Sequence, residues 1–334
     1  MPKRCGIDVG TFNIICARMK DKEIEIKKEV NAFFTILLEN KYMLNLIKKS
    51  GAPVIEVEDK AYVLGENAIE LALSMGQEYQ RPMRNGILSV NEKDAFNILA
   101  VIIRSMIGKI EEDGTIVYYS VPADAINTKT NVNYHTKVIQ AILEKYKDEG
   151  KSIRPYPINE AQAIVLAELE KEQFTGCAIS FGAGMSNLAY SMFGVPVVKF
   201  SLTNSGDWID EEAAKHCGET IAYINNEKKN IDLSAEPKNA VERAIQYHYE
   251  IMIEQALRGI AKGISDAGTK ANPGKPVNIV VAGGTASPKG FVDFFKETMK
   301  KVKFPIEIGE VRLAQDHLYS VAKGCLIASE NHTD

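Results

Sequence analysis

Apolar and polar positions alternate through the first thirty residues of the chain. "RCGIDVG", "NIICARMK" and "EIEIKKEV" read as three successive strands joined by tight turns. A polar, helix-like segment from Lys41 to Lys49 and the apolar stretch "APVIEVEDKAYVLG" follow, which predicts a small inserted subdomain at residues 31–75. Inside it, "FFTILL" from Phe33 is far too short to span a bilayer. It reads as a buried strand, with a surface-docking loop as the alternative. From Glu92 the apolar residues fall at helical spacing through "AFNILAVIIRSMIG". The strand "TIVYYSVP", stopped by Pro122, a helix through "TKVIQAILEKY" and a strand at "IRPYPI" complete a first α/β half.

The second half begins like the first. "GCAISFGAG" reads as a strand and turn, and "NLAYSMFG" and "PVVKFSL" continue it as a meander through Gly194 and Pro196. After "NSGDWIDEEAAKHCG" the pattern becomes helical, with a long amphipathic helix from Asn239 to Ser265. "GTKANPGKP" reads as a plain loop. "VNIVVAGGTASPKGF" then predicts a buried strand, a Gly turn and a helix carrying Pro288 in its first turn. A last helix is expected in "DHLYSVAKGCLIASE". Each half thus opens with a strand, a Gly turn and further antiparallel strands, unlike a Rossmann unit, which passes directly into a helix. The pattern describes a duplicated α/β unit.

Composition narrows the function classes. The 334 residues, 45% hydrophobic, are enough for two domains with a large core. The formal net charge is -4 and the charges are evenly mixed, so no basic face advertises nucleic acid. Cys5, Cys16, Cys177, Cys217 and Cys325 are scattered and never form a CxxC pair. They read as reduced thiols of a cytoplasmic protein, and neither a metal cluster nor a signal or transmembrane segment is expected.

The chemistry is concentrated in the Gly turns. Backbone N–H groups after Gly10 (Thr11, Phe12, Asn13) and from Gly182 through Ala183, Gly184 and Met185 to Ser186 suit two phosphate-binding nests. Asp8, at the end of its strand, is placed to hold Mg2+ through water, although a turn-capping role suits it too. A third turn, "AGGTASPKG", offers close backbone approach to a base or an α-phosphate.

In that order these turns resemble the actin, sugar-kinase and 70-kDa heat-shock ATPase superfamily, and within it the bacterial actins of the MreB and magnetosome type. "GIDVGTFN" is similar to the MreB motif GIDLGTAN, "RPMRNGIL" from Arg81 to RPLKDGVI, "SVPADA" at Ser120 to a VPSG-type strand end, and "SGDWIDE" at Ser205 to GDxMDE. The resemblance implies an actin-like, ribonuclease H-like fold with two lobes around a nucleotide cleft. Residues 1–30 and 76–155, with a helix at 316–330, are expected in lobe I, and 31–75 as its insertion. Lobe II is expected from 156–205 and 275–315, with 206–274 as a helical insertion. The likeness further implies ATP or ADP with Mg2+ in the cleft, and a homopolymeric filament with adaptor proteins as candidate partners. Gly283, Gly284, Thr285 and Ala286 are expected on the adenosine side, Gly206 near the ribose, and Glu160 in the place of the water-orienting acid. A helix-start carboxylate serving only the dipole is the plainer reading of Glu160. The adenine-side Glu-x-x-Lys of the family best matches Asn225 to Lys228, so its Glu is missing.

One departure bears on catalysis. The second phosphate loop of the family reads DIGGGTT; here it is "SFGAGMS", with Ser180 in place of the Asp and Met185 in place of the first Thr. Backbone nests do not depend on those side chains, so binding is expected to survive and hydrolysis to be slow. A non-polymerising ATP-binding scaffold of the pilus or cell-division branch is the alternative, and the short segment from Gly206 to Lys228 keeps it open. A small-molecule kinase or a chaperone needs a further insertion or domain for which these 334 residues leave little room.

Overall fold

The computed structural model describes residues 4–20, 22–39, 41–89 and 94–333. The alternating amino-terminal segment forms an antiparallel meander of β1 (Arg4–Val9), β2 (Asn13–Lys20) and β3 (Glu23–Val30). The chain then leaves this sheet for β4 (Phe33–Leu37), α1 (Lys41–Lys49), β5 (Val54–Val57), β6 (Lys60–Leu64) and α2 (Glu66–Ser74). β4, β6 and β5 pair as a separate three-stranded sheet, and Phe34, Ile36, Leu44 and Val63 give it a core of its own. The run from Phe33 is therefore a buried strand, not a docking loop. β7 (Met83–Arg84) and β8 (Ile87–Leu88) make a short hairpin. Its turn residues Asn85 and Gly86 have φ of 50° and 74°, the left-handed pair that tight two-residue hairpins require.

α3 (Ala95–Ile107) covers the first sheet; residues 92 and 93, where its apolar spacing begins, lie outside the described residues. β9 (Thr115–Val121), α4 (Val132–Glu144) and β10 (Ile153–Asn159) complete the half, and α5 (Glu160–Glu168) leads out of it. β10 stays in the first sheet as far as Asn159, past residue 155.

The second half runs through β11 (Gly176–Phe181), β12 (Ser186–Met192), β13 (Val195–Leu202), α6 (Gly206–Cys217), α7 (Ile221–Asn230) and α8 (Ala240–Ala267). It closes with β14 (Val277–Ala282), α9 (Phe291–Met299), β15 (Ile308–Leu313) and α10 (Ser320–Glu330). The two five-stranded sheets have the orders β3-β2-β1-β9-β10 and β13-β12-β11-β14-β15. In each, the first strand pairs antiparallel with the next two-strand meander and parallel with the later strands. The duplication expected from the sequence is present strand for strand.

Three local expectations are corrected. Pro288 lies outside α9, which starts at Phe291 behind a left-handed Gly290 (φ 77°). Part of the "GTKANPGKP" segment, Gly268–Ala271, winds into a short 3-10 turn. The last helix begins at Ser320 rather than at 316, behind a turn whose Asp316 carbonyl accepts from the Tyr319 and Ser320 N–H groups and the Ser320 hydroxyl. Among the described residues, no helix is long and apolar enough to cross a membrane.

α10 lies on α5 and β1, and two glycines set the distance. A Cβ at Gly324 would sit 1.8 Å from the Ala163 carbonyl oxygen of α5, and one at Gly6 would sit 2.2 Å from the Leu326 amide of α10. Neither glycine has a left-handed backbone; what they supply is room. Gly324→Ala is expected to cost about 3 kcal/mol or more, the upper end of overpacking, seen as a lower thermal midpoint. A midpoint equal to that of the unchanged protein would contradict this packing.

Candidate functional site

β1 and β11 each end in a turn closed by the same bond. The Gly10 amide donates to the Asn13 carbonyl at 3.0 Å, and the Gly182 amide donates to the Met185 carbonyl at 3.0 Å. Between those anchors the N–H groups of Thr11 and Phe12, and of Ala183 and Gly184, meet no protein acceptor among the described residues. The turns face each other: a Cβ on Gly184 would come within 2.6 Å of the Thr11 hydroxyl. Asn31 pins the first turn, its amide donating to the Phe12 carbonyl and its side chain to the Gly10 carbonyl. The second is pinned by its own lobe. The Gly182 carbonyl accepts from the Gly206 amide, the Ser205 hydroxyl and the Thr285 hydroxyl at 3.1, 2.6 and 2.7 Å.

Carboxylates stand at the floor between the turns. Asp8, on β1, accepts from the Ser120 hydroxyl at 2.7 Å, and that hydroxyl in turn accepts from the Val9 amide at 2.9 Å. Ser120 is the penultimate residue of β9, so the "SVPADA" strand end orients Asp8. Glu160 is the first residue of α5, whose cap is Asn159, the side chain accepting from the Ala161 and Gln162 amides. Ser180 is buried at 4% exposure beside Glu160.

The third wall comes from the "AGGTASPKG" turn and the helical segment after β13. Gly283 (φ 95°) turns the chain tightly against the Phe181 carbonyl, and Gly284–Ala286 forms one 3-10 turn. Beside it α6 begins at Gly206, where a Cβ would come within 2.5 Å of the Thr285 hydroxyl, and α7 adds Asn225 and Lys228. All of these walls enclose one cavity of about 310 Å3, within the range of small-molecule sites. Asp8, Gly10, Thr11, Phe12, Asn13, Glu160, Gly182, Ala183, Gly184, Met185, Gly206, Asn225, Lys228, Gly283, Gly284 and Thr285 line it. Ala286 does not: its side chain is 1% exposed and packs into the lobe II core behind the turn.

Across the mouth, the β7–β8 hairpin of lobe I reaches α6. Arg81 grips Asp207 through both guanidinium ends at 3.2 and 2.9 Å, and Arg84 pairs with Glu211 at 3.1 Å. Gly86 at the hairpin tip lies on the Met185 side chain, where a Cβ would come within 2.5 Å. Met185 is thus packed beneath the hairpin at 3% exposure.

The sequence profile of the Volactin family matches residues 3–329. The chain belongs to the Volactin family. No curated protein matches it. Among solved structures, it is similar to a MamK double helical filament, with a TM-score of 0.74 at 15% identity over 98% of this chain and 99% of that one. MreB5 of Spiroplasma citri bound to AMPPNP superposes at a TM-score of 0.65 and 13% identity, covering 98% and 95% of the two chains. The ethanolamine utilization protein EutJ from Carboxydothermus hydrogenoformans gives 0.54 at 13% identity, covering 98% and 90%. At such identities the likeness establishes the actin-like, two-lobed fold for this Volactin chain.

Several groups around the Volactin cleft escaped the sequence reading. Asp207, Asp210 and Arg81 lie within motifs it quoted, "SGDWIDE" and "RPMRNGIL", but nothing in the spacing of either motif predicts that Arg81 and Asp207 meet. Asp210, 2% exposed, pairs with Lys228 at 2.7 Å and accepts from the Asn225 amide at 2.7 Å. It stands on α6 behind Asn225 and Lys228 and does not itself line the cavity.

Burial at the cleft floor pushes the Asp8 carboxyl up, against the Ser120 hydrogen bond that lowers it. Burial and then the Asp8 charge push Glu160 up to about 8, with Ser180 and Asn187 holding it back. Both acids are harder to ionise in the folded chain than in the unfolded one. Their contribution therefore favours folding below the ordinary values of 3.8 for Asp8 and 4.5 for Glu160, and is lost as pH rises through about 6 and about 8 respectively. Without ligand, Glu160→Gln is expected to melt above wild type at about pH 8 and level with it at about pH 4.5. The same offset in thermal midpoint at both pH values would contradict this.

Proposed function

We propose that the chain binds ATP or ADP with Mg2+ in the cleft and assembles head to tail into cytoplasmic filaments, hydrolysing ATP slowly. One observation carries the reading: two turns of identical closure, with unpartnered N–H groups, face each other across Asp8 and Glu160. The donor set suits the ligand, since backbone N–H groups cradle phosphate and Mg2+ takes oxygen ligands through retained waters. Asp8 would hold the metal through water, and the metal would neutralise phosphate charge. Glu160 is positioned to orient a water, and Ser180 offers a hydroxyl where a second carboxylate would complete the metal surroundings. The neighbours add support by their own contents: a MamK structure and a MreB5 structure hold AMPPNP, another MreB5 structure holds ADP, and one MamK structure is a filament. A contact that does not close into a ring propagates as a filament.

The division of labour in the chain follows from the same reading. Residues 1–30 and 76–155 with the last helix serve as lobe I and 31–75 as its insertion. Residues 156–205 and 275–315 serve as lobe II, with 206–274 as its helical insertion.

Gly182→Val is expected to lower ATP affinity at least about 10-fold in a fluorescence titration, because its Cβ alone would approach the Met185 carbonyl to 2.9 Å and distort the turn. Unchanged affinity would remove the turn from the site. Glu160→Ala should leave binding and pelleting intact while slowing single-turnover phosphate release by about 10²- to 10⁴-fold. Ser180→Asp should speed release. Release from Glu160→Ala equal to wild type would reduce Glu160 to a helix-start carboxylate.

A further inference from the structure

Two cysteines meet behind the first turn, in the core between the first sheet and α3. β1 and β2 pair antiparallel with Cys5 opposite Arg18 and Ile7 opposite Cys16, so the two thiols are diagonal neighbours on one face. Their Sγ atoms lie 3.3 Å apart, in hydrogen-bond contact. Among the described residues, no other two thiols touch, and all five cysteines are free. The pair is buried, yet it sits near the rim of its core. Arg18, next on the same face of β2, is only half-buried, and Met19 and Lys20 beyond it are exposed. Two cations stand by: Arg18, whose Nε group is buried without a hydrogen-bond partner, and Lys27, opposite Cys16 on β3. The hydrogen bond from Cys5, helped by the Arg18 and Lys27 charges and opposed by burial, brings the Cys16 thiol down to about 7. The same contact, with burial, holds the Cys5 thiol high. Cys177 and Cys325 are pushed up by burial and have no thiol beside them.

We propose that Cys5 and Cys16 are a reversible redox-modification site: a peroxide converts them into an intrachain disulfide, and a dithiol returns them to thiols. The inference does not depend on what the cleft binds. The Cys16 thiolate attacks one peroxide oxygen; the O–O bond breaks, and the leaving hydroxide takes up a proton as water. Cys16 is then a sulfenic acid. The Cys5 sulfur gives up its proton and attacks the Cys16 sulfur, so that the S–S bond forms and the S–O bond breaks. The second hydroxide leaves with the Cys5 proton, again as water. Two thiols are oxidised and one peroxide is reduced. In reversal a dithiol attacks the bridge, and its own sulfurs end as the disulfide. The bridge closes a ring from residue 5 to residue 16 that holds Asp8 and the whole first turn. The oxidation state of the pair is thus built into the lobe I wall of the cleft.

The test is peptide mapping of the full chain, reduced, freed of reductant and treated with hydrogen peroxide. After denaturation in iodoacetamide, trypsin releases residues 5–18 as one peptide, because no Lys or Arg lies between Arg4 and Arg18. After peroxide that peptide is expected to be lighter by a pair of hydrogens and to take no alkyl group. Without peroxide, or when dithiothreitol follows it, both of its cysteines should be alkylated. In Cys5→Ala, Cys16 should be trapped by dimedone as the sulfenic acid, whereas in Cys16→Ala Cys5 should stay a thiol. Both cysteines alkylated after peroxide, a peptide heavier by oxygen, or a bridge from either cysteine to another part of the chain would overturn the proposal. Dimedone on Cys5 in Cys16→Ala would overturn the assignment of Cys16 as the attacking thiol. Mapping the unchanged chain decides the bridge itself, whether or not a variant folds.

Discussion

The contact on which the rest of the structure depends is the backbone-to-backbone approach of α10 to α5 and β1. Gly324 lets α10 touch the Ala163 carbonyl, and Gly6 lets the same helix touch β1. β1 carries Asp8 and the first turn, and α5 begins with Glu160 and leads to the second half. One helix thus holds the roots of both lobes at a fixed spacing, and their cleft-side ends converge as a consequence. A larger residue at either glycine would have to move a backbone, which interiors packed like crystals resist. The cleft is a product of this packing and not of the turns alone.

The second constraint is electrostatic. Two carboxyls share a floor that disfavours charge, and each resists ionisation there. Such a floor stores a cost that a bound cation would relieve, which is why oxygen donors without protein cations suit Mg2+. Ser180 fits the same logic. A third carboxylate at that position would raise the cost further, whereas a hydroxyl adds no charge to the floor. On the α7 side a buried carboxylate has a partner of opposite charge: Asp210 lies 2.7 Å from the Lys228 Nζ and accepts from the Asn225 amide at 2.7 Å.

Much of this was legible in the sequence because the signals were local. Alternation predicted the meanders, and the paired Gly turns after the apolar strands β1 and β11 predicted the duplication and the two facing turns. Helical spacing located α3 and α8 to within a few residues. What was not legible depends on distant partners. α2, α7 and β15 are short and carry weak periodicity, so their packing and not their pattern decides them. Ala286 belongs to the third turn by position, but the 3-10 winding rotates its methyl into the core. Pro288 suits the first turn of a helix, yet Gly290 in a left-handed conformation delays the start of α9. The Arg81–Asp207 clamp joins residues 126 positions apart, and no spacing rule reaches so far.

The central claim is that both turns grip one ligand. Hydrogen exchange at the backbone amides measures it directly, since Thr11 and Phe12 in one lobe and Ala183 and Gly184 in the other have no protein acceptor to protect them. Adding ATP with Mg2+ to the full chain is predicted to slow exchange in both turns together, at the same ligand concentration. Protection of only one turn, or of neither at a concentration that saturates binding, would contradict the account.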